Sequence, residues 1–125
     1  MRFLIYLLLL MALPVRADWA CHASPPIRLS RVELINIYSG QPVLINGSWL
    51  IAVMLPANST ETQIAFGSLG LSPQAAERLA KSNGLVDRNI RLAITPTDMA
   101  LKLRENTPSV GYGLVILGEG LEKCN

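Results

Sequence analysis

Short apolar runs and apolar residues at helical spacing follow one another along the chain. Continuous or alternating apolar runs predict β-strands, whereas apolar residues three or four positions apart predict helices. The predicted strands cover residues 19–23, 42–45, 48–55, 88–95, 110–117 and 121–124. The predicted helices begin at Ser30, Asn58, Ser72 and Thr95 and end near Gly40, Ser68, Gly84 and Asn106. This order predicts an α/β fold, a single-domain sandwich with a mixed sheet.

Cap and turn residues mark the boundaries of these segments. Ser30 and Glu33 have the spacing of a capping box at a helix start. Asn46-Gly47 separates two apolar runs and predicts a tight hairpin turn. The run 49–55 hardly alternates, which predicts a central strand that is buried on both faces.

The remaining strand signals predict where each strand lies in the sheet. The runs 19–23 and 121–124 are short, so we expect both at an edge of the sheet. The run 110–117 contains Gly111 and Gly113, which indicates that a neighbouring element approaches this strand closely.

The N-terminal segment has the pattern of a secretory signal peptide. One cation, Arg2, precedes the leucine-rich apolar run 3–13, and small residues then stand at 15 and 17. This arrangement predicts cleavage before Asp18, with residues 1–17 as the leader and 18–125 as the working domain. An uncleaved anchor is the alternative, although the apolar run is shorter than the ~20 residues of a membrane span.

Removal of the leader changes the charge of the chain. Arg2 and Arg16 leave with it, so eleven basic residues become nine, against nine acidic ones. A neutral domain has no basic footprint for nucleic acid and no polybasic patch for a membrane surface. No later run is long and apolar enough for a membrane helix, so we expect no membrane insertion after cleavage.

Two cysteines remain, Cys21 and Cys124, one near each end of the exported domain. An even pair outside the cytoplasm predicts a disulfide. Two free thiols are one alternative. A metal site that joins Cys21, His22 and Cys124 is another, but this spacing differs from the paired ligands of most zinc sites.

Catalytic residues are sparse. His22 is the only histidine, and no nucleophile-elbow motif accompanies it. The sequence therefore predicts a protein without enzyme activity, without catalytic residues and without a cofactor.

The order of several short motifs resembles the phosphate-type periplasmic substrate-binding proteins. The matching segments are Leu29-Ser30-Arg31-Val32-Glu33-Leu34, Ile37-Tyr38-Ser39-Gly40, Asn46-Gly47, 50–56, 58–66, Leu69-Gly70-Leu71-Ser72-Pro73 and 106–112. Together they span nearly all of the exported domain. The resemblance implies a fold like one lobe of a periplasmic binding protein, because the family usually has two lobes and this chain has length for one.

The resemblance also implies a ligand site at the helix start 58–62. Ser59, Thr60 and Thr62 fall where the family binds a tetrahedral oxyanion with hydroxyls and backbone N–H groups. Glu61 stands in place of the family's glycine, and Pro56 in place of its clamping arginine. The alternative is that these three hydroxyl residues only cap the helix, as Ser30 and Ser72 do theirs.

Two functions therefore follow as expectations. In the first, the exported protein binds a small oxyanion such as phosphate in the periplasm, as an accessory to ABC-transporter uptake or to sensing. In the second, the pocket has decayed and the domain binds an envelope or transporter protein. No nucleic-acid partner is expected in either case.

Overall fold

The architecture is described by a computed structural model for residues 18–82, 89–113 and 120–125. The strands are β1 (Asp18–His22), β2 (Leu44–Ile45), β3 (Ser48–Trp49), β4 (Ile51–Met54), β5 (Ile90–Leu92), β6 (Ser109–Gly113) and β7 (Glu122–Lys123). The helices are α1 (Arg31–Tyr38), α2 (Thr60–Leu69), α3 (Pro73–Lys81) and α4 (Pro96–Glu105). The predicted leader lies outside the described residues, as do the helix end at 83–84 and the strand positions 88 and 114–117.

The main sheet is mixed and five-stranded, in the order β5-β4-β6-β1-β7. Strand β4 pairs in parallel with both β5 and β6, while β1 pairs antiparallel with β6 and β7. The α/β fold with a mixed sheet is therefore confirmed, and β4 is the interior strand that its apolar run predicts.

The helices cover both faces of this sheet. Neighbouring residues of β6 point to opposite faces. Tyr112 stacks edge-on against Tyr38 of α1 and Phe66 of α2. A Cβ atom on Gly111 would lie 2.9 Å from Met99 Sδ in α4. Helices α1 and α2 thus lie on one face and α4 on the other, and the close approach predicted at Gly111 is confirmed.

Side-chain caps begin each of the four helices in the described ranges, as the sequence indicates. Ser30 and Glu33 form the complete capping box of α1. The Ser59, Ser72 and Thr95 hydroxyls accept from the N–H groups three residues later at the starts of α2, α3 and α4. These bonds satisfy orphan N–H donors from within the chain.

The predicted strand 48–55 is not continuous. Its first part, β3, forms a separate hairpin with β2, and the turn residues Asn46 and Gly47 have φ values of 50° and 83°. Leu50 then separates β3 from β4, and its N–H donates to Val43 O at 2.8 Å. The chain therefore leaves the hairpin and enters the main sheet within one residue.

Strand β1 does not lie at an edge, contrary to its prediction. It runs between β6 and β7, and Trp19, Ala20 and Cys21 are buried there. The short run was misleading because later parts of the chain supply both of its neighbours. The last strand, β7, does occupy the edge, as predicted.

A disulfide joins Cys21 to Cys124, with Cα atoms 5.8 Å apart. It ties β1 to the segment after β7, and both half-cystines are buried. The predicted disulfide is confirmed. Both thiols are consumed by this bond, so neither is free or available to a metal.

Candidate functional site

The carboxyl ends of strands β4 and β5 lie side by side, because the two strands are parallel neighbours. The chain leaves β4 for α2 on one face, and it leaves β5 for α4 on the other. Such a divergence at the carboxyl ends of neighbouring parallel strands is where open α/β sheets usually bind ligands. We call this place the switch edge.

The three predicted ligand residues lie at the switch edge but in different surroundings. Thr60 is exposed at the first position of α2, and Ser59 is half-buried at the cap. Thr62 is fully buried. The three residues therefore lie close together at the start of α2, but the side chain of Thr62 is buried inside the protein.

The Thr62 hydroxyl has no free hydrogen-bonding capacity. It donates to Leu55 O at 3.2 Å, and it lies 2.7 Å from both Tyr112 Oη and Ser59 Oγ. Because its one proton goes to Leu55, the Tyr112 and Ser59 hydroxyls are its donors. Tyr112 Oη in turn accepts from the Leu55 N–H at 2.9 Å. These hydrogen bonds hold the loop after β4 to buried side chains of the domain.

Aromatic side chains fill the space beneath this loop. Trp19, Tyr38, Phe66 and Tyr112 form a cluster with ring centroids 5.1–6.1 Å apart. Burial raises the pKa of Tyr112 to about 12, against the lowering effect of its hydrogen bonds. Burial also raises the pKa of Tyr38 well above its ordinary value. Both phenols therefore remain neutral donors under ordinary conditions.

Two carboxylates accept hydrogen bonds from backbone N–H groups at the switch edge. Glu77 Oε1 accepts from the Ala57 N–H at 2.9 Å, in the loop that follows β4. Asp98 Oδ2 accepts from the Ile94 N–H at 3.0 Å, in the loop that follows β5. These backbone bonds are the main reason that the pKa of each carboxyl is lowered. Side-chain anions of the protein itself thus hold donors that an oxyanion would need.

Each of these carboxylates has its own cation one helical turn away. Lys81 lies 3.4 Å from Glu77, and Lys102 lies 2.9 Å from Asp98. Pro56, in the loop after β4, provides no cation. The switch edge consequently has no guanidinium clamp on the loop after β4.

Two donors at the switch edge are still unused. Within the described ranges, the N–H groups of Thr60 and Glu61 have no protein acceptor. They point out of the N-terminus of α2, where the helix dipole favours negative charge. The negative charge of Glu61, in the same first turn, would repel a bound anion.

The sequence pattern does not mark Tyr112, Glu77 or Asp98 as residues of this site. Tyr112 sits in an apolar run and has no local sign of a polar role. Glu77 lies 20 residues after its partner Ala57, so no short motif joins them. Asp98 had a detectable signal, because it stands three positions after the Thr95 cap of α4.

The hairpin presents a different kind of surface. Leu44 and Trp49 are directly opposite each other on β2 and β3, and they are 55% and 57% exposed. Side chains of opposed residues lie on the same face of a ribbon. Ile45 and Ser48 lie on the other face, where Ile45 packs against the core.

His22 forms a hydrogen bond with a threonine. Its Nδ1 lies 2.9 Å from Thr107 Oγ1, on the side of the sheet away from the switch edge. Among the residues described, no group of three His, Cys, Asp or Glu side chains has a metal-binding arrangement.

No helix within the described ranges is long and apolar enough to cross a bilayer. Comparison with protein-family models, with curated proteins and with solved structures finds no match to this chain.

Proposed function

We propose that this chain is an exported, non-enzymatic protein of the cell envelope that works by binding another protein. Its domain resembles one lobe of a phosphate-type substrate-binding protein, with an anion pocket that has decayed. The disulfide between Cys21 and Cys124 supports an oxidising compartment such as the periplasm.

The observation that carries this proposal is the exposed Leu44–Trp49 pair on the hairpin. Tryptophan is strongly enriched among the residues that dominate protein interfaces. Here it stands beside a leucine on a face that the domain does not cover. An exposed apolar pair on one face of a two-stranded ribbon is a suitable anchor for a protein partner.

The state of the switch edge supports the same conclusion. Thr62 is buried with every hydrogen bond filled, and Glu77 and Asp98 take nearby N–H donors. An oxyanion would have to compete with these carboxylates without an arginine clamp.

The test compares capture of envelope proteins by three forms of residues 18–125. The unchanged protein and a Val32→Ser control should capture the same partner, because Val32 is 65% exposed but lies on α1. Trp49→Ser should lose that partner while it keeps the circular dichroism spectrum of the unchanged protein. Equal capture by all three forms would count against the hairpin as the binding surface.

A second candidate function is the binding of a small oxyanion such as phosphate. The unused N–H groups of Thr60 and Glu61 favour it, together with their place at the switch edge. A specific anion at 100 times its dissociation constant should add about 2.7 kcal/mol to the free energy of unfolding.

Calorimetry with phosphate and sulfate tests this candidate. Thr60→Pro removes one of the two N–H donors at a helix position that tolerates proline, so it should weaken binding. Thr60→Ala keeps that donor and serves as the matched control. No heat and no thermal shift with either anion would eliminate oxyanion binding.

Export has its own test. The protein recovered from the periplasmic fraction should have Asp18 as its first residue, which intact mass measures directly. Recovery of the chain with residues 1–17 in the membrane fraction would instead support the uncleaved anchor.

A further inference from the structure

A cleft of about 120 Å³ lies near the amino ends of β4 and β6, at the opposite end of these strands from the switch edge. The hairpin forms one wall, and the segments that follow β1 and precede β6 form the others. Ser24, Asn46 and Ser48 supply polar lining, while Ile27, Ile45 and Pro108 supply apolar lining. The cleft is thus separate from the helix start of α2 and from the outer face of the hairpin.

Three polar side chains, those of Ser24, Asn46 and Ser48, line this cleft, and all three residues are exposed to solvent. Within residues 18–82, 89–113 and 120–125, the side chains of Ser24, Asn46 and Ser48 make no hydrogen bond to protein. Between them they offer two hydroxyls and one amide, which both donate and accept. None of the residues that line the cleft carries a charge.

Hydrogen bonds and the disulfide join the segments that form the walls of the cleft. His22 Nδ1 and Thr107 Oγ1, 2.9 Å apart, join the segment after β1 to the segment before β6. The Ile51 N–H donates to Pro108 O at 3.0 Å, which joins that segment to the base of the hairpin. The disulfide at Cys21 anchors β1 next to this bridge. A preformed site loses little conformational entropy on binding.

The size of the cleft limits what enters it. Sites for drug-sized ligands usually span roughly 300–1,000 Å³, so this cleft receives one group of a ligand. Isoleucine and proline lining suits a methyl group, and the neighbouring hydroxyls and amide suit a planar amide. Because none of the lining residues carries a charge, the cleft offers no counter-charge to an ionic group.

We propose that the cleft binds a small uncharged ligand through an acetamido group, as in an N-acetylated sugar. The methyl group packs against Ile27 and Ile45. The amide and the nearby sugar hydroxyls exchange hydrogen bonds with Ser24, Asn46 and Ser48. This site does not depend on the protein-binding function proposed above.

Nuclear magnetic resonance titration of residues 18–125 with N-acetylglucosamine tests the proposal. We expect amide shifts that saturate and that cluster around the cleft. Glucose, which lacks the acetamido group, should bind at least about fivefold more weakly, since one lost hydrogen bond has about that effect. No saturable shift around the cleft, or equal affinity for glucose, would overturn the proposal.

Substitutions in the cleft and at the switch edge test the two sites independently. Ser48→Ala should weaken binding about fivefold through loss of one hydrogen bond. Asn46→Gly should do the same, and it keeps the turn because glycine readily adopts the positive φ found there. Thr60→Ala, at the switch edge, should leave sugar affinity unchanged. Unchanged affinity in both cleft variants would contradict the assignment, whatever the outcome for phosphate.

Discussion

Thr62 Oγ1 and Tyr112 Oη lie 2.7 Å apart, although the two residues are 50 positions apart in the chain. Their contact closes a buried ring of hydrogen bonds around the backbone of Leu55. In the family that the sequence resembles, this loop faces a ligand. Here it is held by a tyrosine of β6 from inside the domain. The contact therefore stabilises the loop after β4 from within the domain.

Loss of the tyrosine hydroxyl should destabilise the domain. Tyr112→Phe leaves the buried Leu55 N–H without its acceptor and removes one of the two donors to the Thr62 hydroxyl, so we expect a loss of about 1–3 kcal/mol. Urea denaturation of the unchanged and variant proteins measures this loss.

Thr62→Val and the double variant complete a mutant cycle. The two losses should be less than additive, with a coupling energy of about 1 kcal/mol, because both substitutions break the same contact. Strict additivity would mean that the two hydroxyls do not interact.

Alkaline pH should destabilise the fold through the buried phenols. The pKa of Tyr112 rises from 10.0 to about 12 in the folded protein, so the folded state holds the proton longer than the unfolded state. The resulting stability is present below pH 10.0 and is lost as the pH rises to about 12. Its full size is roughly 3 kcal/mol, at about 1.4 kcal/mol per pKa unit.

Denaturant titrations across this pH interval check the sign. Tyr38 should contribute in the same direction, since its pKa is also raised by burial. Tyr112→Phe should therefore flatten the pH dependence but not abolish it. A free energy of unfolding that rises over this interval would contradict the prediction.

The disulfide should account for a large part of the stability. Cys21 and Cys124 are 103 positions apart, so the bond closes most of residues 18–125 into one loop. In the loop-entropy model, a closure of this length contributes about 4–5 kcal/mol. The Cys21→Ala/Cys124→Ala double variant should lose about that much in urea denaturation.

Alkylation provides the control for this comparison. The native protein should take up thiol label only after it is reduced, whereas the double variant should take up none. An unchanged denaturation midpoint in the double variant would show that loop closure contributes little here.

Two glycines should respond to substitution in opposite directions. Gly111→Val places a branched side chain against Met99 and Leu103, since even its Cβ would lie 2.9 Å from Met99 Sδ. We expect a loss of about 1–3 kcal/mol from overpacking. Gly67 lies in α2 with no heavy atom near the position of an added Cβ. Gly67→Ala should therefore add about 0.5–1 kcal/mol.

Thermal denaturation of the two glycine variants measures the contrast. If Gly111→Val is neutral, α4 can move away from β6 without loss. If Gly67→Ala destabilises the domain, the surroundings of Gly67 in α2 are tighter than the structure indicates.

The sequence determined the local structure of this protein. The capping box of Ser30 and Glu33, the turn at Asn46-Gly47 and the buried strand β4 each depend on residues within a few positions of one another. The disulfide was also predictable, because only two cysteines remain after the predicted leader. The mixed α/β sheet followed from the order of strands and helices.

Only the tertiary structure decided which distant segments meet. It placed β1 between β6 and β7, split the run 48–55 between two sheets, and brought Tyr112 to Thr62. It also assembled the cleft of Ser24, Asn46 and Ser48 from separate segments. Caps and turns are encoded by neighbours in the chain, whereas strand order and side-chain burial arise from the packing of the whole domain.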